Sequence, residues 1–174
     1  MGTDTRAEQG FTLAEVLVAL FLTSFCLLAL GQTFAFGVTQ VGSSQADLVA
    51  REKAAEAIES VYSARDTRTI TWVQLRNIPD GGIFQAGPQM IRNVGADGLV
   101  NTADDGAVQT IVRPGVDNLL GTADDEIQPL STYRRTIAIV DIGPNLRRIQ
   151  VTVSYQVGST PRAYTVTALI SSFA

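Results

Sequence analysis

Seven acidic residues are concentrated between positions 97 and 126, where the only cation is Arg113. They are Asp97, Asp104, Asp105, Asp117, Asp124, Asp125 and Glu126. Six of them belong to a repeat, because residues 95–105 recur as residues 115–125 with all three aspartates retained. Adjacent carboxylates with a third acid seven residues upstream can wrap oxygen ligands around a hard cation such as Ca²⁺. The spacing therefore predicts Ca²⁺ at one or both copies, and aspartates that cap turns are the alternative.

A single carboxylate interrupts the most apolar part of the chain. Residues 11–30 contain one ionisable side chain, Glu15, and as an α-helix they would span about 30 Å, the thickness of a bilayer core. A carboxylate inside a membrane costs a few kcal/mol and needs a partner.

Two simpler interpretations of the N-terminus are a secretory signal peptide and a plain membrane anchor. A secretory signal begins with a cationic region, whereas residues 1–10 carry Arg6 against Asp4 and Glu8. A plain anchor gives Glu15 no role.

Residues 10–20, GFTLAEVLVAL, resemble the class III signal of type IV pilins and of type II secretion pseudopilins. In that family a polar leader, here residues 1–10, is removed after the glycine by prepilin peptidase, and the new N-terminal residue is methylated. The resemblance implies processing between Gly10 and Phe11. This cleavage would create an ammonium group on Phe11, one helical turn from Glu15, and the cation would offset part of the cost of desolvating the carboxylate. It also implies assembly through Glu15, which would pair with the Phe11 amine of a neighbouring subunit, at an inner-membrane assembly platform. The alternative is a contact between Glu15 and its own Phe11 without a role in assembly.

The acidic repeat resembles the calcium loop of major pseudopilins. The side-chain ligands that this resemblance implies are Asp97, Asp105, Asp117 and Asp125. Further candidates in the same loops are Asn101, Asp104 and Asp124. The repeat departs from the family pattern because Asn101 replaces the later glycine in the first copy and Asn118 replaces the earlier one in the second.

One long helix is predicted from about residue 12 to residue 63. Its first half, residues 11–31, is apolar all round and forms the transmembrane and assembly segment. Its second half, residues 32–64, is amphipathic, and apolar residues recur every seven positions. These residues are Val41, Leu48, Ala55 and Tyr62.

Residues 65–174 form a predicted β-rich domain that carries the acidic loops at 95–126. Period-two alternation and short turns predict an antiparallel meander of three strands, with one face packed on the helix. The predicted strands are 132–142, 146–157 and 163–173, with weaker strands at 83–92 and 107–113. The fold class is therefore α+β, and the resemblance implies the type IV pilin fold.

Charge and composition exclude several classes of site. The formal net charge is −4 and the chain has no histidine, which excludes imidazole catalysis and disfavours a nucleic-acid surface. The single cysteine, Cys26, has no partner for an intrachain disulfide. Two arginine pairs, at 134–135 and 147–148, are predicted to be ordinary charges on the solvent face of the sheet. Nothing in the sequence meets the requirements of a catalytic site, so an enzyme is not expected.

The resemblance implies a minor pilin or minor pseudopilin, a structural subunit that is held by membrane lipids before it joins other pilin or pseudopilin subunits in a filament. Alternatives are a major subunit and a membrane-anchored, calcium-dependent adhesin module that does not polymerise. The expected location is the inner membrane, as a single-pass protein with its N-terminus inside, and then a periplasmic or cell-surface filament. The inside N-terminus follows from Arg6, the only cation near either end of the span.

Overall fold

The computed structural model describes residues 12–173, without the side chains of residues 39, 41 and 42. A long helix, α1, runs Leu13–Asp66, and a short 3₁₀-helix follows at Ile78–Asp80. Six strands complete the fold: β1 Gln89–Met90, β2 Thr110–Arg113, β3 Glu126–Pro129, β4 Arg134–Gly143, β5 Leu146–Val157 and β6 Thr160–Ser171. The predicted helix and the three main predicted strands are thus confirmed, and so is the α+β class.

The chain divides into two compact units, one ending at Gly42 and the other beginning at Ser43. In the first unit α1 exposes large apolar side chains such as Phe21 and Phe25. By length and composition this helix is apolar enough to cross a membrane, with a mean hydropathy of 2.4 over its most apolar 18 residues. The predicted leader, residues 1–10, and Phe11 lie outside the described residues.

The second unit contains every buried side chain among the described residues. Its main sheet has the order β1-β4-β5-β6, and all neighbouring strands are antiparallel. Period-two alternation directs one face of β5 inward, so that Ile149, Val151 and Val153 are fully buried. They join one hydrophobic cluster with residues of α1 such as Ala54 and Ala57. The predicted packing of the sheet on the amphipathic part of the helix is therefore confirmed.

The buried face of α1 differs from the prediction. Small residues recur three and four positions apart along it, and these are Ala50, Ala54, Ala57, Val61 and Ala64. Leu48 and Ala55, which were expected on this face, are exposed. The seven-residue pattern marks a stripe that is offset by one or two positions from the buried face, where mostly short side chains let the helix backbone lie close to the sheet.

The arginine pairs were predicted on the solvent face, and this prediction is wrong for one member of each pair. Arg135 and Arg147 are almost completely buried. Arg147 donates to the carboxylate of Asp141 at 2.5 Å and to the carbonyl of Leu75 at 2.9 Å, and its guanidinium stacks on the Trp72 ring at 4.1 Å. The physical reason is the strand alternation itself, which places odd-numbered residues of β4 and β5 on the core face.

The two weaker strands are much shorter than predicted. Within 83–92 only β1 forms, because Gly87 has a φ of +76° and Pro88 follows it. Within 107–113 only β2 forms, and it pairs with β3, a strand that the sequence analysis did not predict. The short length of β3 and its terminal proline give it no clear strand pattern.

Candidate functional site

Glu15 lies in the first turn of α1 and is bonded to Thr12. The Glu15 carboxylate accepts hydrogen bonds from the backbone N–H and the hydroxyl of Thr12, both at 2.9 Å. In return the backbone N–H of Glu15 donates to the Thr12 hydroxyl at 3.3 Å. This reciprocal pair is a capping box, which satisfies free N–H groups at a helix start. Thr12 was not among the predicted site residues, although a threonine three residues before a glutamate is the sequence signature of a capping box.

Both copies of the acidic repeat form the connection of a β-hairpin. The first copy is enclosed by two backbone hydrogen bonds. The N–H of Asn93 donates to the carbonyl of Ala107 at 2.9 Å, and the N–H of Gln109 donates to the carbonyl of Ile91 at 3.0 Å. The second copy is enclosed by β2 and β3, whose register runs from Thr110↔Pro129 to Arg113↔Glu126. The repeat in sequence is therefore a repeat in local structure.

Within each copy the aspartates accept the same hydrogen bonds. In the first copy Asp104 accepts from the N–H of Asp97 at 3.0 Å and from the hydroxyl of Thr102 at 2.8 Å. Asp97 accepts from the N–H of residue 99 at 2.8 Å, and Asp105 accepts from that of residue 101 at 2.9 Å. In the second copy Asp124 accepts from the N–H of Asp117 at 3.3 Å and from the hydroxyl of Thr122 at 2.7 Å. Asp117 accepts from the N–H of residue 119 at 2.9 Å, and Asp125 accepts from that of residue 121 at 2.6 Å. The aspartates thus hold each loop closed through its own backbone.

The two substitutions that break the glycine pattern keep the backbone conformation. In the first copy Gly98 and Asn101 have φ of +69° and +60°. In the second copy Asn118 and Gly121 occupy the same positions with φ of +55° and +88°. Asparagine is among the few residues that tolerate this left-handed region. The exchange of glycine and asparagine between the copies therefore leaves the loop geometry unchanged.

The two loops differ in how they are anchored. Leu99 and Val100 are buried in the hydrophobic core at 3% and 0% exposure. The side chain of Asn101 accepts from the Arg135 guanidinium at 2.9 Å and donates to the Arg135 carbonyl at 3.2 Å. In the second copy the equivalent Leu119 and Leu120 are 61% and 67% exposed. The first loop is part of the core, and the second loop extends the β2–β3 hairpin into solvent.

The predicted metal ligands differ in the oxygens they leave free. Asp104 and Asp124 each use both oxygens within the loop, and the Asn101 amide is bonded to Arg135. No group of three acidic side chains among residues 12–173 is arranged to hold a metal ion. Asp105 also uses both oxygens, since it accepts from the N–H of residue 101 and from the Thr102 hydroxyl at 3.4 Å. Asp97 and Asp117 accept through one oxygen alone among the described residues. Asp125 Oδ1 is buried and has no hydrogen-bond partner among the described residues.

The acidity of the loop carboxylates follows from these bonds. The backbone N–H of Asp97 and the hydroxyl of Thr102 hold the pKa of Asp104 below its usual value. The hydroxyl of Thr122 and the N–H of residue 117 do the same for the pKa of Asp124. At pH values above their usual pKa, both carboxylates therefore stabilise the folded loops. This contribution to stability is lost as the pH falls through the lowered pKa values. Burial raises the pKa of Asp105 despite the hydrogen bonds that oppose it.

Comparison with known families gives one match. The model described as "Prokaryotic N-terminal methylation motif" matches residues 5–31, which include Gly10, Phe11 and Glu15. No curated protein and no solved structure matches the chain significantly. The chain therefore carries a class III signal like that of type IV pilins and pseudopilins. This motif implies processing by prepilin peptidase, assembly with other pilin-type subunits and anchoring in a membrane.

Proposed function

We propose that the chain is a minor subunit of a type IV pilus or type II secretion pseudopilus, and that it enters the filament through the N-terminal part of α1. The observation that carries the proposal is the methylation motif at residues 5–31, followed by an apolar helix long enough to cross a membrane. Before assembly the exposed apolar surface of this helix is covered by lipid. In the filament the same surface is covered by the helices of neighbouring subunits.

Glu15 has two chemical tasks in this proposal. Its capping box with Thr12 satisfies the start of the helix, and its negative charge pairs with the methylated Phe11 amine of a neighbouring subunit. A glutamine at this position retains the capping box, since glutamine serves at this position too. It removes the charge, however, so the two tasks are separable by substitution.

Glu15→Gln and Glu15→Ala are both expected to lower incorporation into sheared filaments at least about tenfold, because loss of one partner of a buried charge pair costs about 2–5 kcal/mol. Quantitative immunoblotting of filament and membrane fractions measures this change. Thr12→Ala, which breaks the capping box and keeps the charge, is the matched control and should incorporate nearly normally. Wild-type incorporation of Glu15→Gln would show that Glu15 serves only to cap the helix.

We also propose that Ca²⁺ binds one or both acidic loops and stabilises the domain in the periplasm or outside the cell. The residues that would hold it are Asp97 and Asp105 in the first loop and Asp117 and Asp125 in the second, together with backbone carbonyls. The support is the unpartnered, buried oxygen of Asp125 and the raised pKa of Asp105. A bound cation would add positive charge beside the carboxylates, which in the first loop face only the Arg135 guanidinium among the described residues.

Addition of Ca²⁺ to the fragment that begins at Ser43 is expected to raise its Tm, because a ligand at 100 times its Kd adds about 2.7 kcal/mol of stability. For a domain of this size the rise is roughly 5–10 °C, and calorimetry measures it. Asp105→Asn combined with Asp125→Asn should abolish the rise, whereas Asp80→Asn, an exposed acid outside the loops, should leave it intact. If Ca²⁺ does not change the Tm of the wild-type fragment, the aspartates serve only to close the turns.

A further inference from the structure

The β2–β3 hairpin exposes a group of apolar side chains, here called the hairpin patch. It consists of Val112, Val116, Leu119, Leu120 and Ile127, each at least 51% exposed. Val112 and Ile127 are directly paired across the two strands, and the other three residues lie in the loop between them. A two-stranded hairpin is at best marginally stable in water by itself, and clustered apolar surface of this kind marks an interaction site.

In the first copy of the repeat, the residues equivalent to Leu119 and Leu120 are buried. Leu99 and Val100 occupy the same loop positions as Leu119 and Leu120, within the same hydrogen bonds, and the rest of the chain buries them. No such cover exists for the second pair among the described residues. The hairpin is also acidic, because residues 110–129 carry four acids and one cation. Its partner should therefore offer apolar side chains beside a free cation.

The outer face of the main sheet offers this combination, here called the sheet patch. Val140, Arg148 and Leu169 lie side by side across β4, β5 and β6. Val140 and Leu169 are 47% and 54% exposed, and Ile142 adds a third exposed apolar side chain. Arg148 is exposed and makes no hydrogen bond or ion pair within the described part of the chain. An unpaired arginine between aliphatic side chains complements the acidic, leucine-rich hairpin patch.

We propose that the hairpin patch of one copy of this chain docks on the sheet patch of a second copy. The leucines would lie against Val140 and Leu169, and Arg148 would meet the loop carboxylates. Because the two patches are different surfaces, the contact is head-to-tail and leaves one patch free at each end, where a further copy or another pilin-type subunit can join. This inference rests on the proposed role as a filament subunit. It specifies the contact between the domains of two copies, and it requires a minor subunit that occurs more than once in a filament.

Cysteine cross-linking of the full chain in bacterial inner membranes tests the contact. Leu120→Cys and Leu169→Cys are placed on separate chains of different tag length, both with Cys26→Ser. Mild oxidation is expected to join the two chains into a mixed dimer, and each variant alone is expected to give little dimer. Val73→Cys, an exposed position outside both patches, replaces Leu169→Cys in the matched control and should not cross-link with Leu120→Cys.

Charge reversal adds a second measurement to the same assay. Arg148→Glu on the Leu169→Cys chain is expected to lower the mixed dimer about tenfold, because like charges then face each other. Arg68→Glu, at an exposed arginine outside the sheet patch, should change it little.

The outcomes separate the proposed contact from the other possibilities. Dimers of the Leu120→Cys chain alone would indicate a two-fold contact and overturn the head-to-tail proposal. Cross-links only to another protein, or no cross-links at all, would show that a second copy of this chain does not cover the hairpin patch. A correctly processed, filament-associated chain that gives no mixed dimer would refute this contact and leave the proposed function intact.

Discussion

Arg135→Ala is expected to lower the free energy of unfolding of the domain by about 2–5 kcal/mol, as truncation of a large, fully buried side chain does. The Arg135 side chain is fully buried and donates to Asn101, to the Lys53 carbonyl and to Glu56. It therefore joins the first acidic loop, α1 and β4 through one guanidinium. Its loss would leave a cavity and remove the donor to the Asn101 amide oxygen, whereas Glu56 would keep its ion pair with Lys53 at 2.6 Å.

Urea unfolding of the fragment that begins at Ser43 measures this effect. Arg148→Ala is the matched control, because Arg148 is an exposed arginine on the neighbouring strand, and its removal should change stability by no more than about 0.5 kcal/mol. Similar losses for the two variants would contradict the role assigned to Arg135.

Gly95→Ala is expected to destabilise the domain by about 2–4 kcal/mol, whereas the equivalent Gly115→Ala should cost less than about 1 kcal/mol. A Cβ at Gly95 would overlap the carboxylate and the backbone carbonyl of Asp104, and a Cβ at Gly115 would overlap the same groups of Asp124. The local clash is therefore the same in both loops. Only the first loop transmits it to the core, through buried Leu99.

The comparison needs both variants in the same unfolding experiment, since each serves as the control for the other. Hydrogen exchange should show Gly115→Ala loosening β2 and β3 while the main sheet keeps its protection. Equal losses of global stability would show that the second hairpin is as much a part of the core as the first loop.

Much of the fold is predictable from the sequence because its signals are periodic. The alternation in residues 146–157 predicts β5 to the residue, and the apolar run with its amphipathic continuation predicts α1 to within three residues at either end. The buried face of α1 was missed for a physical reason. Close helix–sheet packing selects alanines, and their small size gives them little weight in a pattern based on hydrophobicity.

The candidate sites were only partly predictable. The alternation that fixes β4 and β5 also places Arg135 and Arg147 on the core face, but charged residues are rarely buried without partners. Their partners come from distant segments, such as Asn101 and Trp72, which no local pattern reveals. The aspartate repeat was evident in the sequence. The burial of one loop and the exposure of the other depend on tertiary packing, which the repeat itself does not encode.

The mass of the mature N-terminus tests the central claim most directly. The chain is to be purified from a host that has prepilin peptidase and from the same host without it, and then examined by intact-protein and peptide mass spectrometry. With the peptidase, the expected result is a chain that lacks residues 1–10 and begins at a methylated Phe11, whereas the full length persists without it. An intact Met1 in both hosts, or a start after the apolar run at Gln32, would contradict assembly through a processed class III signal.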